Sequence, residues 1–154
     1  MSRPPSTLSM LIEMRRRERD RIAGQAAQAQ RDRDTAASTL RTLSSYQEDY
    51  RQRSPKNARQ VTDTGAVRVH ENFVGKLGQA ISQQDALTRS LDDRHRQQLV
   101  ALAEGERRLK ALETLVQRRE AARRRRQESL EQKQTDEFAA QAHARATSGS
   151  TGHD

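Results

Sequence analysis

The chain has 154 residues, a net charge of +8, hydrophobic and charged fractions of 32% each, 3% aromatics and no tryptophan. That composition excludes a thick globular core, but it can fill a seam between two helices, which needs only about two apolar positions in seven. Cysteine is absent, which excludes disulfides and thiolate chemistry. The positive excess points to an acidic partner, whether nucleic acid, an anionic membrane or an acidic protein surface.

Met1-Ser-Arg-Pro-Pro carries no apolar run and does not read as a signal peptide. No stretch approaches the ~18 apolar residues of a membrane span, so a soluble, cytoplasmic protein is expected. Pro4 and Pro5 block an earlier helix, and Ser6 or Thr7 supplies a cap for the first one. From there Leu8, Arg15, Ile22, Ala29, Ala36, Leu43 and Tyr50 recur every seven residues. The companion row is Ile12, Arg19, Ala26, Arg33, Leu40 and Gln47. The spacing predicts a helix over 6–53 with a seam that is thin in the middle, where alanine replaces leucine and buries little area.

Ser54-Pro55 stops that helix, because the residue before proline is pushed out of the helical region. Residues 54–65 read as a connector, with Asp63 or Thr64 as the cap of a second helix over 66–143. The stretch from Phe73 to Phe138 has no proline and is dense in strong helix formers. Its apolar residues recur at three- and four-residue steps, as in Phe73, Leu77, Ala80 and Ile81, then Leu102, Leu109, Leu112 and Val116. At 1.5 Å per residue it makes a helix of about 100 Å, too long for a small globular domain.

The expected fold is all-α: an antiparallel two-helix coiled-coil hairpin whose second helix is longer and projects past the first. Facing residue numbers should sum to about 124. That places Tyr50 by Val74, Leu43 by Ile81, Ile22 by Leu102 and Leu8 by Val116, with Ala36 by Thr88 and Ala29 by His95. The middle is expected to be the loosest part. Gly24 and Gly105 fall near one level, as tolerated surface glycines or as a thin place where the pair bends. Residues 147–154, TSGSTGHD, read as a disordered tail.

No catalytic residue, cofactor site or metal site is expected. His70, His95, His143 and His153 form no metal-ligand motif. Gly75-Lys76 lacks the earlier glycine and the alternating strands of a phosphate loop. Asp92-Asp93 and Asp136-Glu137 are sequence neighbours on helices, so each pair diverges. Two features remain. Tyr46, Tyr50 and Phe73 gather about the connector, joined by Leu43, Leu77 and Ala80, as either a capped tip core or an exposed docking patch. Arginines gather on Arg15, Arg16, Arg17, Arg19 and Arg21, and again on Arg118, Arg119 and Arg123 to Arg126, as either a solvated face or a surface for an acidic partner.

Three stretches in this order resemble the flagellar export protein FliJ family: Leu43-x-x-Tyr46-x-x-Asp49-Tyr50, then Asn72-Phe73-x-x-x-Leu77-x-x-Ala80-Ile81-x-x-Gln84, then Leu130-Glu-Gln-Lys133-x-x-Asp136-Glu137-Phe138-Ala139. The resemblance implies a non-enzymatic stalk of the type III export apparatus, shaped as a two-helix coiled coil. It implies insertion in a hexameric flagellar export ATPase, contact with the cytoplasmic domain of the export gate FlhA, and escort of export chaperones. No small-molecule substrate is implied. Carried over, the gate patch falls on Leu43, Tyr46, Tyr50, Phe73, Leu77 and Ala80, with Thr39 and Gln84 at two further patch positions. Candidates for the ATPase-ring contact are Arg15, Arg16, Arg19, Arg118, Arg119, Arg123 and Arg124. The implied place is the cytoplasmic face of the membrane at the flagellar base. The rivals are a virulence type III stalk, a secretion chaperone or scaffold, and a basic nucleic-acid-binding coiled coil. The last is disfavoured because arginines alternate with acids along much of the chain.

Overall fold

A computed structural model describes residues 6–53 and 63–150. It contains two helices, α1 (Thr7–Gln52) and α2 (Thr64–Gly149), and no strand among the described residues. Most of the connector, 54–62, lies outside them, as do Pro4, Pro5 and 151–154.

The ends follow local chemistry. Ser6 is the cap of α1: its Oγ accepts from the Ser9 amide at 3.2 Å, and its carbonyl accepts the Met10 amide at 3.0 Å. Asp63 does the same for α2, with Oδ1 accepting the Gly65 amide at 3.1 Å and its carbonyl accepting Val67 at 3.2 Å. The second helix therefore starts at 64, two residues before its expected start. It also runs through Gly149, which corrects the expected end at 143 and the disordered reading of Thr147–Gly149. The reason is that Gln141 to Ala146 are mostly alanine and arginine, strong helix formers. The Thr147 and Ser148 hydroxyls then bond back to carbonyls one turn earlier.

Residues Glu13–Arg107 cluster as one unit, and in it α1 and α2 pack as an antiparallel hairpin. Contacts across the pair join 47 with 74, 36 with 84, 33 with 92 and 95, 22 with 105, and 50 with 70 and 73. These numbers sum to between 120 and 128, the register expected from the heptad rows.

The middle of this hairpin corrects the sequence reading. Ala26, Ala29 and Ala36 are 3–5% exposed and His95 is 8% exposed, so the middle is the most closed part of the unit and not the loosest. A methyl group holds two helices apart less than a leucine does. There Gln84 Nε2 donates to the Ala36 carbonyl of the facing helix at 3.1 Å. Gly24 is exposed with open space beside its Cα, and Ile22 Cδ1 lies 3.7 Å from where a Gly105 Cβ would sit. Both helices run unbroken through these glycines.

Residues Met1–Ile12 and Arg108–Asp154 cluster as a second unit. In it Leu109 is 4% exposed, Leu112 and Val116 are half-buried, and every residue of α2 from Gln117 onward is exposed.

Candidate functional site

Two sets of side chains stand out. The first lies at the closed end of the hairpin, where α1 finishes and α2 begins. Tyr50 is on the seam row of α1, so its ring meets α2. Its centroid is 4.6 Å from that of Phe73 and 5.1 Å from that of His70, on which it stacks at 13°. Tyr46, one turn earlier and off that row, packs against Tyr50 at 5.9 Å. The four rings form one continuous cluster. It is not sealed: Tyr46 is 51% exposed, Phe73 37% and neighbouring Val69 70%. A shallow groove beside the rings is lined by Tyr50, Val69, His70 and Phe73, with Asp63 at its rim. Leu43, Leu77 and Ala80 lie below the rings and are half-buried. Gln47 closes the cluster from beneath, with Nε2 donating to the Val74 carbonyl at 3.4 Å.

The second set is the arginines. In the Glu13–Arg107 unit, Arg15 pairs with Glu18 at 3.0 Å and Arg19 with Asp20 at 2.8 Å, while Arg16 is exposed. Surface pairs of this kind contribute about 0–1 kcal/mol each. In the other unit, Arg118, Arg119, Arg123, Arg125 and Arg126 are exposed and make no ion pair among the described residues. Arg124 pairs with Glu120 at 3.1 Å. At about 100° per residue, these six guanidinium groups fan round all sides of α2.

Within the Glu13–Arg107 unit there is also a polar bridge that the heptad rows alone do not reveal. Arg33 occupies a seam position and reaches α2, with Nη1 3.2 Å from His95 Nδ1 and 3.6 Å from Asp92. Arginine only donates, so His95 Nδ1 is the lone-pair nitrogen and the ring proton sits on Nε2. Asp34 hydrogen-bonds the Arg33 guanidinium and holds its pKa above the ordinary value. The charges of Asp34 and Asp92 act the same way, against burial, which lowers it. His70 was the other unforeseen member. Its signal was present: 70 faces 50 in the observed register, and it lies one turn before Phe73.

Among the described residues no group of His, Asp or Glu is placed to hold a metal ion. No helix among them is long and apolar enough to cross a membrane.

The class defined by this geometry is a helical coiled-coil hairpin with an aromatic closed end. The profile of the FliJ family, described as flagellar FliJ protein, matches residues 5–148, and the chain belongs to that family. It is thus a component of the flagellar export apparatus, and the family is non-enzymatic. No curated protein and no solved structure matches it.

Proposed function

We propose that this chain is the stalk that joins the hexameric flagellar export ATPase to the export gate. The observation that carries this reading is the open ring cluster of Tyr46, Tyr50, Phe73 and His70. Large aromatic rings held by packing yet reachable from solvent are the usual anchors of a protein interface. In this reading the cytoplasmic domain of FlhA docks on Leu43, Tyr46, Tyr50, Phe73, Leu77 and Ala80, at the cytoplasmic face of the membrane. The ATPase ring takes the arginine-bearing segments, with Arg15, Arg16, Arg19, Arg118, Arg119, Arg123 and Arg124 as contacts. Guanidinium groups on every side of α2 suit a partner that encloses the helix better than one that offers a flat face. Escort of export chaperones belongs to the same reading.

The role is mechanical and organisational. A ring whose subunits bind the stalk unequally in different states shifts among them by that difference in affinity. Binding to nucleic acid is disfavoured, because many arginines are taken up by acids on their own helix: Arg17 with Glu13, Arg89 with Asp85, Arg96 with Asp92 and Arg124 with Glu120. The test is a pull-down against purified export ATPase with a hydrolysis assay. Binding with raised hydrolysis is expected, and truncation after Arg119 should weaken it. Unchanged hydrolysis together with tight, steeply salt-dependent DNA binding would replace this reading with the nucleic-acid one.

A further inference from the structure

The side of α2 that is covered at Leu109, Leu112 and Val116 does not end there. It runs on, uncovered, as Val116, Glu120, Arg123, Gln127, Glu131, Gln134 and Phe138. These residues follow one another at three- and four-residue steps, and at about 100° per residue they fall within about 80° of arc. Every one after Val116 is exposed, Phe138 at 76%. About Gln127 the stripe is complementary to its own reverse, with Val116 set against Phe138, Glu120 against Gln134 and Arg123 against Glu131. An apolar residue stands at each end, and an arginine stands on one side where an acid stands on the other.

That symmetry is the signature of an isologous contact, in which one patch serves both partners. We propose that the stripe is a self-association surface and that its occupant is a second copy of this chain, lying antiparallel with Gln127 on the twofold axis. In that register Arg123 meets Glu131 of the second copy, and Val116 meets its Phe138. On the flank Arg126 meets its Glu128. Each of these contacts occurs twice. The wider charge pattern agrees, since 118–126 carries six arginines and one acid while 128–137 carries four acids and one lysine. Parallel copies would set like blocks together, which repels; the antiparallel pair sets unlike blocks together. In the single chain Gln127 Nε2 donates to Glu131 at 3.3 Å and Arg124 to Glu120 at 3.1 Å. Both are exposed, same-helix bonds that exchange at small cost. A contact built on charge with an apolar residue at each end is weak and salt-sensitive. The second copy covers Arg123, so a paired chain presents fewer free arginines than a single one.

The experiment uses the full chain alone, so its outcome is independent of the ATPase and gate reading. Sedimentation is followed up to about 0.5 mM chain, in low salt and again at about 0.5 M, where screening acts within about 4 Å. Twice the single-chain mass is expected in low salt and the single mass in high salt. Two variants, Arg123→Glu with Arg126→Glu and Glu128→Arg with Glu131→Arg, should each stay single because each sets like charges together. Mixed in equal amounts they should pair, because every contact is then complementary. The chain has no cysteine, so Gln127→Cys should form a disulfide-linked dimer on mild oxidation and Phe138→Cys should not. Circular dichroism on every variant establishes that the helices remain. A single-chain mass in low salt overturns the proposal. So does pairing that survives in both charge variants, or cross-linking through Phe138→Cys as readily as through Gln127→Cys.

Discussion

The middle and the closed end of the hairpin invert the usual order of burial. In the middle three of the four buried side chains are alanines, Ala26, Ala29 and Ala36 at 3–5% exposure, and the fourth is His95 at 8%. At the closed end the side chains are the largest in the chain, yet Tyr46 remains 51% exposed and Phe73 37%. In a globular core a ring is buried because many elements surround it. In a two-helix hairpin each helix has one neighbour, so burial measures how closely the two backbones approach. A small side chain on the seam is covered by that single neighbour, whereas a ring off the seam row, such as Tyr46, is not. The middle therefore serves cohesion, while the closed end leaves apolar surface exposed.

Substitutions sharpen this contrast, and the largest effect belongs to the middle. Ala36→Leu adds volume where the Gln84 side chain reaches the facing backbone. It should cost about 2–3 kcal/mol by overpacking, read as a lower midpoint in a denaturant melt followed by circular dichroism. A midpoint that rises would show that the seam wants filling and that closeness is not its organising feature. His95→Ala comes next. It removes the acceptor of the Arg33 bond at 3.2 Å from a buried position and should cost about 1–2 kcal/mol. Combined with Arg33→Ala the losses should be non-additive; strict additivity would mean that the bridge carries no coupling. Gly24→Ala should stabilise by about 1 kcal/mol, since the added methyl meets nothing within 4 Å. Destabilisation would revive a need for a thin place at that level. Phe138→Ala, at 76% exposure, should change the melt of dilute chain by less than about 0.5 kcal/mol.

Much of the architecture was legible in the chain. Leu8, Ile22, Leu43 and Tyr50 at sevenfold spacing fix one face of α1, and Ser54-Pro55 marks where it must stop. The antiparallel register followed from matching apolar positions and agrees with the Gln47–Val74, Ala36–Gln84 and Arg33–Asp92 contacts. Alanine misled when weighed only by the small area it buries, because a small side chain on the seam is wholly covered by one neighbouring helix. The end of α2 was misread because composition weighs Thr, Ser and Gly as breakers, whereas Thr147 and Ser148 satisfy their hydroxyls on the helix itself. At the closed end the identities of Tyr46, Tyr50 and Phe73 were plain, but the stacking of His70 on Tyr50 needed the register to within one turn. The bridge of Arg33 to His95 was hidden for the same reason. A polar residue on a seam row reads as a flaw until its partner on the other helix is placed.

The claim on which the rest stands is that Tyr46, which lies off the seam row and is 51% exposed, serves a partner and does little to hold the hairpin together. Tyr46→Ala tests it most directly when one preparation is used both for a thermal melt by circular dichroism and for calorimetric titration with the cytoplasmic domain of FlhA. The account predicts a melt within about 0.5 kcal/mol of the unmodified chain and an affinity lower by about tenfold, the loss typical of a truncated interface anchor. A melt that collapses, or an affinity left unchanged in a chain of full helicity, would contradict it.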